Sequence, residues 1–346
     1  MIKNFNQVLD SKELDINSLE NYRLEELSKL KEESKKIGLI IGGISLVFLI
    51  LIIILRLWIL FLLIFGAGIV FFGIKNHKKG KILKAIKDGL IKKLVVSASE
   101  NFDYQPYEKV SQHLFNKSKI IRSYSTYSGE DFFSGKINNI PIQFSEITLV
   151  VKSDKKSTTV FRGPFFVVEL PQNFVGDTTV VHDYVEKSMG GIGRALQKMN
   201  LSRIKYNLIK FDNQLFEDYF AVYTKNEAEA RKILSNNLCD LLITEKEKMG
   251  KSGKVYFAFN ENKFYLGLDN RRDIFPVSVD LPITENSLRN HYNEFVDYIN
   301  LAITFYSIIE ENMNSSDFLT NSIDNTPKND TPPPPPKDGG YKKVRF

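Results

Sequence analysis

Residues 37–74 read IGLIIGGISLVFLILIIILRLWILFLLIFGAGIVFFGI, and Arg56 is the only charged residue among these 38. At about 1.5 Å per residue, one straight helix of this length would measure about 57 Å, nearly twice the roughly 30 Å hydrocarbon core of a bilayer. The stretch therefore predicts a hairpin of two transmembrane helices, 37–55 and 57–74. A charged residue at the centre of a span costs about 2.5–3.5 kcal/mol, which favours Arg56 at the far interface between them.

Positive charge flanks this hairpin. Lys35 and Lys36 precede the first span, and residues 75–96 hold eight lysines against one acid, Asp88, a local balance of +7 in a chain of net charge +6. Because cytoplasmic flanks of membrane helices are rich in Lys and Arg, both termini are predicted to be cytoplasmic. The rest of the chain sums to about −1, so its charge does not indicate nucleic-acid binding.

Residues 75–97 are predicted to form a basic amphipathic segment, since apolar residues recur among the lysines at helical spacing. The candidate contacts to anionic lipid headgroups are Lys75, Lys78, Lys79, Lys81, Lys84, Lys87, Lys92 and Lys93. Two interpretations stay open. Either these lysines bind the bilayer surface, or they only set the topology while the apolar stripe packs on the following domain.

Residues 1–36 form a polar N-terminal arm in which 18–36 are predicted to be helical. Asn17 and Glu20 have the spacing of a capping box, and acidic residues precede basic ones as the helix dipole favours. A narrow apolar stripe consists of Leu19, Leu24, Leu27 and Leu30. This stripe is predicted either to pair with a partner helix or to fold back onto the cytosolic domain.

Residues 98–313 have the mixed pattern of an α+β domain with antiparallel strands. Two strands flank the turn Asn138-Asn139, the second running through 140–151, and a third at 159–170 completes a meander. Four further strands are predicted at 205–211, 216–223, 254–259 and 264–268. The apolar run at 274–279 predicts another.

Two main helices are predicted in this domain. Thr224 and Glu227 form a capping box for a helix to about residue 247. Apolar residues spaced by three and four from Leu288 to Met313 predict the second. Its wide apolar face favours packing on a sheet, and a coiled-coil seam in a homo-oligomer is the alternative.

Three stretches behind the predicted spans carry a family resemblance: YSGEDFFSGKINNIPIQFSEI at 127–147, FRGPFFVVELPQNFVGDTTV at 161–180 and FEDYFAVYTKNEAEARKIL at 216–234. They resemble an uncharacterised bacterial family of membrane proteins, domain of unknown function 3137. The resemblance implies a protein of the bacterial inner membrane and supplies no active-site residues. It also implies a LemA-type membrane protein as a candidate partner.

Motifs with chemical meaning are few. The best ligand-loop candidate is a phosphate-binding nest at Gly190, Gly191, Gly193 and Arg194, with a mobile loop as the alternative. Gly250-Lys251-Ser252 is not a P-loop, because Glu245 stands where that motif needs glycine. The four histidines lack metal-ligand spacing and the chain has one cysteine, Cys239. We therefore predict no metal site and no cofactor, and identify no catalytic residue.

Residues 314–346 are predicted to form a disordered tail that contains Pro332–Pro336. Taken together, the sequence predicts a multi-pass membrane protein with a non-enzymatic binding, scaffold or regulatory role on the cytoplasmic face, acting through a protein partner. A membrane-tethered enzyme whose active site cannot be located from these residues is one alternative. A sensor of anionic lipid surfaces is the other.

Overall fold

The computed structural model describes residues 2–10, 14–55, 59–153, 156–182 and 206–315. Within these ranges nine strands form one antiparallel sheet in the order β1-β2-β3-β4-β9-β8-β5-β7-β6. The strands are β1 (Phe102–Gln105), β2 (Thr126–Ile137), β3 (Ile140–Ser153), β4 (Lys156–Glu169), β5 (Thr178–His182), β6 (Asn207–Ile209), β7 (Phe220–Thr224), β8 (Lys254–Asn260) and β9 (Lys263–Asp269). The predicted α+β class is confirmed.

The helices in chain order are α1 (Phe5–Asp10), α2 (Ile16–Leu55), α3 (Ile59–Ile86), α4 (Lys92–Ala98), α5 (Gln112–Ser118), α6 (Gln214–Tyr219), α7 (Glu227–Ile233), α8 (Asn236–Lys248) and α9 (Glu285–Asn314). A π-helical turn, Lys87–Ile91, joins α3 to α4 without a break. The structure therefore carries one helical path from residue 59 to residue 98.

The meander and the hairpin turns agree with the sequence. Asn138 and Asn139 both have positive φ, 51° and 68°, the geometry of the type I′ turn that suits a two-residue hairpin. β8 and β9 pair across a short turn as predicted. β4 lies between β3 and β9, so it is an internal strand of the sheet.

Three predicted elements are wrong. Residues 216–219 belong to α6, because the Asn213 side chain accepts a hydrogen bond from Phe216 N–H and starts a helix there. Residues 274–279 form an irregular segment instead of a strand. The predicted helix 224–247 is two helices: Asn226 caps α7, which ends at Ile233, and α8 starts at Asn236.

Helix α9 covers one face of the sheet. Its buried side chains include Phe295, Ile299 and Phe305, and the Phe305 ring stacks on Phe257 of β8 at 5.7 Å between centroids. The face considered for a coiled-coil seam is thus occupied within the chain itself. The opposite face of the sheet carries a smaller apolar cluster in which Phe115 of α5 packs on β4.

The N-terminal arm folds back onto the domain. Leu27 and Leu30 of α2 are buried in the main core, and so are Phe5 and Val8 of α1. The Phe5 ring lies 5.4 Å from the ring of Tyr292 on α9. Of the two predicted uses of the leucine stripe, intramolecular packing is the one observed, although Leu24 stays 51% exposed.

Segment 75–97 is also integrated into the domain. Its apolar stripe is buried in the main core through Ile82, Ile86, Leu90, Ile91, Leu94 and Val95. The apolar stripe therefore packs on the domain, which shields these side chains from solvent. The role of the lysines stays a prediction.

By length and composition, one helix within the described residues could cross a membrane, over Ile16–Ile53, and none of its most apolar window is buried. Helices α2 and α3 line a common groove where residues 30–37 meet residues 71–78. Residues 56–58, with the predicted turn at Arg56, lie outside the described ranges. The transmembrane hairpin consequently stays a prediction.

Candidate functional site

The apolar halves of α2 and α3 are uncovered. Leu39 and Ile53 on α2 are 69% and 70% exposed, and Leu62 and Phe65 on α3 are 68% and 64% exposed. Contiguous apolar surface of this kind marks a region that contacts a membrane or another apolar partner. The uncovered run begins near Ile37, immediately after the part of α2 that packs on the domain.

One face of α2 is less exposed than the rest of its apolar half. Ile41, Ser45, Phe48 and Ile52 are half-buried, and their spacing of four, three and four residues puts them on one side of a helix. The small Ser45 and the glycines Gly42 and Gly43 lie in the same stretch. Small residues permit close helix approach in membranes, so this side is suited to packing against a second helix.

Lysines surround the point where the apolar helices meet the domain. Lys78 of α3 forms an ion pair with Glu33 of α2. Lys79 Nζ lies 2.7 Å from the Asp280 carboxylate in the segment before α9, and Lys79 lowers the pKa of that carboxyl. These two ion pairs join α2, α3 and the domain close to the point where the apolar halves of α2 and α3 end.

A buried arginine holds α2 on the domain. Arg23 is 4% exposed, forms an ion pair with Glu20 at 2.5 Å, and donates from Nη1 to the carbonyl oxygen of Val279 at 2.8 Å. The Glu20 carboxylate in turn accepts a hydrogen bond from Ile283 N–H at 2.8 Å. The hydrogen bond from Arg23 lowers the pKa of Glu20. Residues 279–283 are therefore fastened to α2 at both ends.

A second connection lies deeper, where two backbone irregularities meet. Lys87 begins the π-helical turn, and Asp131 occupies a bulge of β2 with φ 56°. Lys87 Nζ donates to both Asp131 oxygens at 2.9 and 3.0 Å and to Glu130 at 3.0 Å. The Tyr104 hydroxyl also donates to Asp131. Irregular turns of this kind aim particular side chains, at some conformational cost.

Burial governs the proton affinity of this cluster. It raises the pKa of the Asp131 carboxyl to about 7, and the Lys87 charge opposes that rise. Burial disfavours the Lys87 ammonium, but the charge and hydrogen bonds of Asp131 exceed that effect and leave the pKa of Lys87 raised. Burial likewise raises the pKa of Tyr104. The arrangement is a salt bridge with little access to water, which couples α3 to the sheet.

The predicted lipid-contact lysines separate into groups. Lys81, Lys84, Lys92 and Lys93 are exposed, and Lys75, Lys78 and Lys79 are half-buried at the helix junction. Lys87 is buried, so its side chain cannot reach a lipid headgroup. The sequence pattern grouped Lys87 with the exposed lysines, because its partners Glu130 and Asp131 lie more than forty residues away in the chain and do not enter a local pattern.

The remaining candidate groups give weaker evidence for a functional site. Gly190, Gly191, Gly193 and Arg194 lie outside the described residues. Glu130, Asp131 and Asp273 offer oxygens within 4.8 Å of one another, but the Lys87 ammonium already occupies two of these carboxylates. His291 is half-buried, and its desolvation lowers its pKa to about 4. Cys239 is buried as a free thiol.

Asp177 forms a separate polar cluster next to β5. Its carboxylate accepts from Lys119 at 2.6 Å, from Lys225 at 2.7 Å and from the Tyr206 hydroxyl at 2.9 Å. Burial opposes ionisation, but these three donors exceed it and lower the pKa of Asp177 to about 2. The contacts tie α5, β5 and β7 together, which is a structural role.

The fold and the junction define an α+β domain carried on a long apolar helix. Residues 159–311 match the family described as "Protein of unknown function (DUF3137)", which confirms the resemblance for the stretches at 161–180 and 216–234. The stretch at 127–147 lies outside the match. No curated protein matches the chain. A crystal structure of the mycobacterial trehalose monomycolate transport factor A, TtfA, shows a distant likeness, with 9% identity, 58% of this chain and 88% of that chain covered, and a TM-score of 0.27.

Proposed function

We propose that this protein is a non-enzymatic platform of the bacterial inner membrane, in which α2 and α3 form the bilayer anchor and the α+β domain binds a partner on the cytoplasmic face. The observation that carries the proposal is the continuity of α2. Its first half is packed in the domain core through Leu27 and Leu30, and its second half is apolar and uncovered. Such a helix transmits a fixed orientation from the bilayer to the domain.

The charges support the same arrangement. Lys75, Lys78 and Lys79 follow the apolar run of α3, and Lys35 and Lys36 precede that of α2. Lysines at this level favour the cytoplasmic leaflet, whose surface is negative. The lipid contact is therefore proposed to involve the lysines of the junction, with Lys81 and Lys84 next along the helix. Lys92 and Lys93 follow Ile74 by 18 and 19 residues, about 27 Å along the helical path, and are left out of this contact.

The single cysteine makes the topology directly testable. In a Cys239→Ala background, Arg56→Cys and Ser315→Cys are treated with a membrane-impermeant maleimide in intact cells. We expect labelling at position 56 in intact cells, and at position 315 only after permeabilisation. Labelling of position 315 with protection of position 56 in intact cells would mean that the domain faces outward. Labelling of both positions, or protection of both, would contradict the hairpin, because its turn and the domain lie on opposite sides of the bilayer.

The partner is proposed to be a protein, with a LemA-type membrane protein as the first candidate because of the family resemblance. Crosslinking in native membranes followed by mass spectrometry of the purified full chain tests this. Crosslinks that join the domain to one membrane protein, and that are missing from membranes without this chain, support a platform. Crosslinks confined to this chain would support self-association instead.

A further inference from the structure

The segment between β9 and α9 presents an exposed apolar tip beside the anchor. Leu281 is 65% exposed, whereas Val279 and Ile283 on either side of it are buried at 7% and 8%. Pro282, next to Leu281, is also exposed. Alternate burial of this kind directs one large apolar side chain away from the domain.

The tip is held in place rather than loosely tethered. Arg23 of α2 binds the carbonyl oxygen of Val279, and Glu20 binds the N–H of Ile283. Since Arg23 is itself buried, its hydrogen bond to Val279 is shielded from water, and the hydrogen bond from Ile283 to the half-buried Glu20 is partly shielded. The exposed position of Leu281 is therefore built into the way in which the segment docks on α2.

The charges around the tip indicate which surface it meets. Asp280, directly before Leu281, pairs with Lys79 and lies within the electrostatic reach of Lys31 and Lys75. Lys79 follows Ile74, the last residue of the apolar run, by five positions, which is about 7.5 Å along a helix. Leu281 thus sits beside the basic junction, close to the level at which the uncovered apolar surface begins.

We propose that Leu281 and Pro282 insert into the headgroup region of the bilayer and form a membrane contact separate from α2 and α3. This inference rests on the proposed anchor function. An apolar tip flanked by lysines suits the boundary between anionic headgroups and acyl chains, because the side chain enters the apolar layer while the ammonium groups stay with the phosphates. With two helices and one tip in the bilayer, the domain has a third fixed point and a defined tilt.

The test uses the full chain in a Cys239→Ala background, reconstituted in nanodiscs of mixed neutral and anionic lipid. Leu281→Cys carries an environment-sensitive fluorophore, and lipids carry a nitroxide near the headgroup. We expect blue-shifted emission from position 281 and quenching by the nitroxide lipid. Water-like emission that is quenched by aqueous iodide instead would overturn the proposal.

Two further positions serve as controls. Ile50→Cys on the uncovered half of α2 reports the anchor itself. Val175→Cys, at 70% exposure, is matched to Leu281 in exposure and lies near the far end of α9, since Gln172 donates to Asn314. The 30 residues of α9 separate the two ends by about 45 Å.

The controls separate the two proposals. Quenching at position 50 without quenching at position 281 leaves the anchor intact and overturns the membrane contact of the tip. Absence of quenching at position 50 contradicts the anchor function. Equal quenching at 175 and 281 would show a nonspecific contact of the domain with lipid and also overturns this inference. A shift at position 281 in native membranes but not in nanodiscs would assign the tip to a protein partner.

Discussion

Lys87 and Asp131 show how one buried ion pair links the helical path that follows α3 to the sheet. Removing each charge from water costs several kcal/mol, so the pair is favourable only if its geometry and additional hydrogen bonds compensate. Both carboxylate oxygens contact Lys87, and Tyr104 donates a further hydrogen bond. Removal of one partner leaves the other buried and unpaired, and this makes the pair a sensitive point in the molecule.

Lys87→Met is expected to lower the free energy of unfolding by about 3–5 kcal/mol at pH 8, above the pKa of about 7 of Asp131, because it leaves a buried carboxylate without its counter-charge. The measurement is chemical unfolding of the detergent-solubilised full chain followed by circular dichroism. Lys84→Met, which removes the same charge from an exposed site, is the control. The double change Lys87→Met with Asp131→Leu should recover much of the loss. Equal effects of Lys87→Met and Lys84→Met would contradict the role of the pair.

The raised pKa of Asp131 predicts a pH dependence of stability. Its pKa rises from the ordinary 3.8 to about 7, so between these values the folded state holds a proton that the unfolded state releases. The corresponding stabilisation is complete below about pH 4 and is lost as the pH rises to 7, with an upper bound of about 4 kcal/mol. Unfolding free energies measured from pH 4 to 8 should therefore decline more steeply for the wild type than for Asp131→Asn.

Asp177 provides the opposite case for comparison. Its pKa is lowered to about 2, so its stabilisation is present above about pH 4 and is lost as the pH falls toward 2. Between pH 4 and 8 the stability curve of Asp177→Asn should run parallel to that of the wild type. A slope change in this range for Asp177→Asn, or none for Asp131→Asn, would count against the assignment of the titrating group.

At the scale of the element, β4 depends on one glycine. Gly163 has φ 149°, and a Cβ built on it would lie 2.2 Å from the carbonyl oxygen of Leu268 and 2.7 Å from the Asn270 side chain. This close approach lets the end of β9 and the chain after it cross over β4. The close backbone contact with residues 268–270 is a long-range feature.

Gly163→Ala is expected to destabilise the domain by at least about 2 kcal/mol, from the strained φ and from the overlap with backbone. Gly80→Ala on α3 is the control, since nothing lies within 4 Å of its Cβ position. That change should be neutral or stabilise by up to about 1 kcal/mol through helix propensity. Thermal unfolding of both variants measures the difference, and similar midpoints would contradict the close approach at Gly163.

At the scale of the whole molecule, the N-terminal arm and parts of α2, α3 and α4 form one core with the sheet. Phe5, Val8, Leu27 and Leu30 share a buried cluster with Ile86 and with residues of α9. The Tyr292 hydroxyl donates to the carbonyl oxygen of Lys3 at 2.5 Å. The core of the domain therefore includes residues that precede the predicted boundary at residue 98.

Phe5→Ala should lower the free energy of unfolding by about 3–5 kcal/mol, the range for truncating a buried aromatic side chain. Phe5 is 5% exposed, and the Arg289 guanidinium lies 4.3 Å from its ring centroid. Tyr22→Ala on α2, where Tyr22 is 41% exposed, is the control and should have a small effect. If Phe5→Ala unfolds with the wild-type midpoint, the arm does not belong to the core.

The sequence alone determined what depends on neighbouring residues. Long apolar runs indicate the apolar helix, the apolar spacing of α9 indicates a helix packed on a sheet, and Asn138-Asn139 indicates a tight hairpin. Each follows from the local period and conformational preference of the chain. Only the tertiary structure decided the rest. Lys87 belongs to a buried pair, the N-terminal arm to the core, and Leu281 to the surface beside Lys79 of α3. In each case the free energy of the side chain depends on partners distant in the sequence, which a local pattern does not contain.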